Sequence, residues 1–215
     1  MTTAAFDDGV AHLRAADPVL ARLLDEYGEP SHERDPARVG GNPQGEDYAA
    51  LIRAIVGQQL STTVARVIWG RLLERFGGRP PTPEQILEDD PDALRTAVGL
   101  SRAKTTFLRS LAEHVLSGEL ELDRLRELDD ETIIAELVAV KGVGTWTAHM
   151  FLMFQLERPD VLAVGDLGIR RAVQRAYGLS DLPSADDLTR RAERWRPHRT
   201  LACRLLWRSL DNVPA

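Results

Sequence analysis

Cysteine is nearly absent from this chain, with Cys203 the single example. One thiol excludes an internal disulfide, a multi-cysteine zinc site and a cysteine-ligated iron–sulfur cluster. Long apolar runs are missing too, and no stretch approaches the roughly 20 residues a membrane-spanning helix needs. Met1 to Phe6 lacks a basic segment followed by an apolar one, so no signal peptide is read and a cytoplasmic location is expected. There is no convincing alternation of strand type, no internal repeat and no low-complexity tract. No Ser/His/Asp set, P-loop or dinucleotide fingerprint occurs. His149 and His198 have no partners at metal-ligand spacing, so no metal–histidine site is expected. Lysine is scarce: of 27 basic residues only Lys104 and Lys141 are lysines. Codon bias accounts for such an imbalance, yet both lysines sit beside apparent turns, a placement that suits phosphate contact.

What is present is 215 residues with an apolar fraction of 43%, enough for one large domain or two small ones sharing a cleft. The net charge is −6 and the sequence pI about 5.4, which taken alone argues against a nucleic-acid partner. The distribution qualifies the total. Acidic residues crowd Glu84 to Asp92 and Glu113 to Glu136. Arginines crowd the C-terminal part: Arg170, Arg171, Arg175, Arg190, Arg191, Arg194, Arg196, Arg199, Arg204 and Arg208. This density fits either a local basic face or a solvated helix surface.

Helical spacing dominates. Tyr48, Leu51, Ile52 and Ile55 fall at i, i+3, i+4 and i+7; Phe107, Leu108, Leu111 and Val115 mark a second face, and Ile133, Ile134, Leu137 and Val138 a third. Breakers separate them: Gly77-Gly78 with Pro80-Pro81, then Gly99, Gly118, Gly142, Pro159, Gly178 and Pro183. Thr82 before Pro83, with Gln85 three residues on, is a helix-start pattern. Asp35 to Gly45 reads as a Pro/Gly-rich loop. The expected class is all-α with about ten helices.

Two stretches carry the chemistry. Val140-Lys141-Gly142-Val143-Gly144-Thr145-Trp146-Thr147-Ala148 reads as a tight turn between helices. Glycines there allow bare backbone N–H groups to approach a ligand, and a helix starting near Thr145 aims free amides at an anion such as phosphate. Val164-Gly165-Asp166-Leu167-Gly168 then offers a lone carboxylate, Asp166, at another helix start. Its simplest role is an N-cap before Leu167 to Tyr177, and a cap is compatible with chemistry because it holds the carboxylate rigidly. Gly57-Gln58-Gln59-Leu60-Ser61 interrupts an apolar helix. It reads as a polar kink or cap, or as a side chain that enters the DNA stack and fills the gap left by an extruded nucleotide. Gly99 to Lys104 forms a second turn able to support the same strand. Trp146 and Trp207 are core residues by default, or stacking surfaces for an electron-poor base.

In order and spacing these pieces resemble the helix-hairpin-helix-GPD superfamily of DNA glycosylases, and within it the DNA-3-methyladenine glycosylase II family. The carriers are Ile55 to Ser61, Val140 to Ala148, Asp166-Leu167-Gly168-Ile169, and Trp195-Arg196-Pro197-His198-Arg199 ahead of Leu205-Leu206-Trp207, with 22 residues from Gly144 to Asp166. The resemblance covers about Tyr48 to Trp207. It implies a two-lobed helical fold over 1–215 with the active site in the cleft: one lobe of about 48–165 containing the hairpin 138–148, and a second from 1–47 and 166–215. It makes Asp166 the catalytic residue. It makes Trp146, Met150, Trp207 and Gln58 the substrate pocket, and Gln59, Leu60 and Ser101 the DNA-intercalating set. Gly142, Gly144, Thr145, Thr147, Lys141 and Lys104 become phosphate contacts, and an alkali cation (Na+ or K+) is expected on the carbonyls of Val138, Val140 and Val143.

The chain departs from relatives in several ways. Bifunctional relatives carry a lysine nucleophile two residues after the second hairpin glycine; here Trp146 stands there, so no Schiff base or strand cleavage is expected. The four-cysteine cluster motif of some relatives is absent, and with so few residues before Tyr48 the N-terminal β-rich domain of larger bacterial relatives is not expected. Met150 replaces an aromatic found in some pockets. The expected function is hydrolytic release of alkylated purines, such as 3-methyladenine and 7-methylguanine, from double-stranded DNA by a monomer that requires no cofactor. Other readings are a non-catalytic DNA-binding module, a mismatch or oxidised-base glycosylase, and a helical interaction protein.

Overall fold

Three helices open on a capping residue followed by proline: Asp17-Pro18, Thr82-Pro83 and Asp90-Pro91. Proline lacks the N–H that the first helical turn leaves unpaired anyway, and the preceding Asp or Thr accepts from a first-turn amide. At Thr82 the capping box anticipated from Gln85 is complete: Thr82 N–H donates to Gln85 Oε1 at 2.9 Å and Gln85 N–H to Thr82 Oγ1 at 3.3 Å. Such signals recur along a computed structural model that describes residues 3–30 and 46–211. The loop read at Asp35 to Gly45 lies outside the described residues.

The described residues form twelve α-helices and no strand. A central unit spans 46–151 and a terminal unit combines 3–30 with 152–211. The central unit holds α3 (Glu46–Gly57), α4 (Thr62–Arg75), α5 (Pro83–Glu88), α6 (Pro91–Val98), α7 (Arg102–Ser117), a 3-10 turn at Leu122–Glu127 and α8 (Asp130–Ala139). It also holds the start of α9 (Thr145–Phe154). Helix α7 packs against α3, α5 and α6. Leu51, Ile52, Ile55, Leu72, Ile86, Leu94, Leu108, Leu111, Ile133 and Leu137 are fully buried among these elements. Each contributes roughly 1.5–3 kcal/mol on leaving water. The first predicted stripe is wholly buried, but Val138 in the third is 42% exposed and points away from the core that takes Ile133 and Leu137. The helices beyond the expected ten are short ones of six to eight residues, below the length at which periodicity is read.

The terminal unit holds α1 (Thr3–Ala16), α2 (Pro18–Tyr27), α10 (Leu167–Ala176), α11 (Ala185–Ala192), a 3-10 turn at Glu193–Trp195 and α12 (Arg199–Asp211). Residues 152–165 go with it because they are tied to α12. Val161 N–H donates to Thr200 Oγ1 at 3.0 Å, and the Asp160 carboxylate accepts from Arg199 Nε at 2.7 Å. No described helix is long and apolar enough to cross a membrane.

One buried carboxylate organises this unit. Asp17 is 1% exposed. Its Oδ1 accepts the Val19 N–H at 2.9 Å as the cap of α2, and its Oδ2 accepts the Trp195 indole N–H at 3.0 Å and the Tyr177 hydroxyl. Burial and the adjacent carboxylate raise the Tyr177 pKa, so the phenol stays a donor. Asp17→Ala removes a cap and strands two buried donors. It is expected to lower unfolding stability by about 3 kcal/mol in urea titrations. A loss below about 1 kcal/mol would show that the three donors find other partners.

Candidate functional site

The predicted hairpin is present between α8 and α9. Val143 N–H donates to Val140 O at 3.0 Å to close the turn, and Ala148 N–H donates to Gly144 O at 3.0 Å to start the helix. The two glycines do different things. Gly142 sits at φ +87°, and a Cβ there would lie 2.2 Å from the Phe107 ring, so its glycine is demanded by fold. A Cβ at Gly144 would meet nothing within 4 Å. Its open face lies where α9 begins, with the first-turn amides and the positive end of the helix dipole beside it. Thr145 and Lys141 are exposed on either side. Thr147 is only 5% exposed, so its side chain is buried, unlike that of Thr145. The alternation of helix faces beyond the hairpin decides this, and the motif alone does not report it.

The double glutamine forms a tight turn between α3 and α4. Leu60 N–H donates to Gly57 O at 3.2 Å, and Ser61 caps α4. Gln59 is exposed and adopts φ +57°, a left-handed conformation that costs a non-glycine residue roughly 1 kcal/mol or more. Gln58 is half-buried and donates from Nε2 to Gly142 O at 2.9 Å, tying this turn to the hairpin. Lys104 also differs from its sequence reading. Its ammonium donates to Val56 O at 2.7 Å and Gln58 O at 2.8 Å, and burial lowers its pKa. In this conformation it is engaged by the protein rather than presented to a phosphate. Ser101 is exposed, but its hydroxyl accepts the Lys104 N–H at 3.1 Å as the cap of α7, a role distinct from the intercalation read for it. Leu60 is half-buried beside Gln59.

In the terminal unit Asp166 is the N-cap of α10, as its position at a helix start implied. Its Oδ1 accepts the Ile169 N–H at 2.8 Å and the Trp207 indole N–H at 3.0 Å. Trp207 stacks on Phe154, ring centroids 6.0 Å apart. A Cβ at Gly168 would stand 3.0 Å from Asp166 Oδ1 and 3.4 Å from the Trp207 ring, so this glycine leaves room for the carboxylate–indole pair. The signal for this role in the sequence is the spacing of Gly168 two residues after Asp166. Gly165 and Leu167 flank the aspartate and are exposed, so the carboxylate is half-buried rather than sealed. Trp146 is 50% exposed on α9, not a core residue, and Met150 one turn on is half-buried.

The arginine-dense segment is largely structural. Arg196 and Arg199 pair with Asp160, Arg190 pairs with Asp187, and Arg170 and Arg208 donate to the carbonyls of Pro183 and Tyr27. Arg191 and Arg204 lie over the rings of Tyr177 and Phe154. A continuous basic face therefore does not follow from the density. Among the described residues no group of three or more His, Cys, Asp or Glu is placed to hold a metal ion.

Comparison with known proteins places these features in context. Residues 52–197 match the HhH-GPD superfamily of base excision DNA repair proteins. Over 200 residues the chain is 36% identical to DNA-3-methyladenine glycosylase 1 of Schizosaccharomyces pombe, covering 92% of this chain and 85% of that one. A putative DNA-3-methyladenine glycosylase of Bacillus subtilis is 29% identical over 201 residues, 89% of this chain and 70% of its own length. The solved structure of the S. pombe 3-methyladenine DNA glycosylase in complex with abasic DNA matches with a TM-score of 0.82 at 32% identity, over 95% of this chain and 97% of that one.

The two hairpin glycines separate by substitution. Gly142→Ala, which meets the Phe107 ring in a left-handed backbone, is expected to cost about 2–4 kcal/mol. Gly144→Ala, which meets open space, is expected to stay within about 1 kcal/mol of wild type. Thermal unfolding of both variants checks this, and equal losses would contradict the geometry.

Proposed function

Since the chain belongs to the HhH-GPD superfamily of base excision DNA repair proteins, we propose that it is a monofunctional DNA glycosylase. Its reaction is hydrolysis of the N-glycosidic bond of alkylated purines, 3-methyladenine and 7-methylguanine among them, in double-stranded DNA. The observation that carries the reading is Asp166: a half-buried carboxylate held by Ile169 and Trp207, in a chain whose relatives are named DNA-3-methyladenine glycosylases.

The damaged nucleotide is extruded from the duplex at an unstacking cost of a few kcal/mol, which damage lowers. The hairpin takes the neighbouring phosphate on the backbone amides at Gly142, Gly144 and Thr145, with Lys141 adding charge. Gln59, with Leu60 beside it, fills the vacated stack. Trp146, Met150 and Gln58 of the central unit receive the base. A base alkylated at N3 or N7 carries a positive charge, and an indole face attracts it. The C1′–N bond then breaks with its electron pair passing to the base, which leaves neutral. No general acid is needed, in keeping with a single carboxylate. Asp166 faces the positive charge developing on the sugar and orients the water whose oxygen joins C1′ and whose proton passes to solvent. Both donors to its Oδ1 are fixed by α10 and α12, so little reorganisation accompanies the step.

An alkali cation on the carbonyls of Val138, Val140 and Val143 would add positive charge near the phosphate. The Val140 oxygen keeps a lone pair beyond the one given to Val143 N–H, so that carbonyl can take a cation. No step here depends on that ion. Trp146 at the position of the lysine of bifunctional relatives supports hydrolysis without strand cleavage. The chain is expected to act as a monomer.

Asp166→Asn is the discriminating variant, because asparagine caps a helix as well as aspartate does and the fold survives. Release of free methylpurines from methylated duplex DNA, resolved by chromatography, is expected to fall by roughly a hundredfold or more. DNA affinity should stay near wild type. Undiminished release would sink the assignment. No release by either protein, with binding intact, would leave a non-catalytic DNA-binding module.

A further inference from the structure

Helix α3 ends at Gly57, and the carbonyls of its last turn have no partner further along the helix. Two carbonyls at this end, Val56 O and Gln58 O, converge on one donor, Lys104 Nζ, at 2.7 and 2.8 Å. The ammonium therefore sits at the negative end of the α3 dipole, where a cation is favoured. Lys104 itself is anchored, because it lies in the first turn of α7 and its N–H is held by Ser101. From the next residue the chain turns into the left-handed backbone of Gln59. On the other side, the Gln58 amide is fastened to Gly142 O in the hairpin. The exposed Gln59 side chain thus stands on a strained turn fixed from α7 by Lys104 and from the hairpin by Gln58.

We propose that Lys104 is a positioning residue for strand insertion: by holding the Val56 and Gln58 carbonyls it keeps Gln59 pointing where the extruded nucleotide leaves its gap. This rests on the glycosylase reading above. It replaces the phosphate contact that the position of Lys104 in the sequence implied. A residue that only serves insertion matters where a base stack must be plugged. It matters little on an unpaired strand, which has no gap to fill.

The test uses Lys104→Met, which removes the ammonium and keeps a long apolar stem. Single-turnover release of 7-methylguanine from a methylated duplex oligonucleotide is expected to fall roughly tenfold, the scale of losing charge-assisted hydrogen bonds that hold an active geometry. Release from the same strand without its complement should change by less than about twofold. The slope of log affinity against log salt on undamaged duplex should match wild type. A slope shallower by about 0.9 would make Lys104 a phosphate contact and overturn the proposal. Equal losses on paired and unpaired substrates would also overturn it, because they indicate a general structural role. If Lys104→Met does not fold, Lys104→Gln, which keeps one donor, enters the same comparison. If wild type releases no base at all, the glycosylase reading fails separately. Insertion is then read by the fluorescence of 2-aminopurine placed opposite a tetrahydrofuran abasic analogue. A smaller change for the variant than for wild type supports the positioning role, and an equal change overturns it.

Discussion

The Phe107 ring fills the space in which a side chain at position 142 would lie, and the backbone at Gly142 passes through φ +87° to accommodate it. Much of the exposed edge of the central unit follows from this packing. With Phe107 beneath it, the turn between α8 and α9 closes through Val143 and Val140, and the Gly142 carbonyl is presented to Gln58. The double-glutamine turn is thereby attached to the hairpin, and Lys104 attaches it to α7. Of the two hairpin glycines, Gly144 is the one with open space around it. One glycine is there for packing, and its neighbour two residues on leaves the turn open for the approach proposed above.

The terminal unit uses one device twice. Asp17 and Asp166 both cap a helix, and both accept the indole N–H of a tryptophan supplied from far along the chain, Trp195 and Trp207. What separates them is enclosure. Asp17 also takes the Tyr177 hydroxyl and is sealed in the core, where a carboxylate with three donors serves stability. Asp166 lies between exposed Gly165 and Leu167 and is itself half-buried. The cap role of Asp166 is therefore compatible with the catalytic role proposed for it. The cap supplies the pre-organisation on which electrostatic stabilisation of a developing charge depends.

An acidic chain proposed to hold DNA also makes physical sense at this level. The arginines that crowd the C-terminal segment are mostly engaged by Asp160, Asp187, carbonyls and aromatic rings. Phosphate recognition in the proposed mechanism falls to backbone amides at a helix start, with Lys141 beside them. Oriented amides act at short range and do not require a net positive protein.

The sequence by itself determined the helical class, the capping box at Thr82, the buried stripe Tyr48 to Ile55, the hairpin and the placement of Asp166 at a helix start. All of these are written in local spacing, which a helix reads within one or two turns. Family membership was legible for a related reason, since the order and separation of several short motifs survive in the chain as such. The tertiary structure alone decided that Lys104 faces two carbonyls, that Thr147 is buried, that Ser101 serves as a cap and that Trp146 is exposed. It alone decided that Gly168 makes room for an indole. Each of these depends on which residue from a distant element fills the neighbouring space. Phe107 and Gly142, or Asp166 and Trp207, are tens of residues apart in the chain, and no local pattern records that they meet.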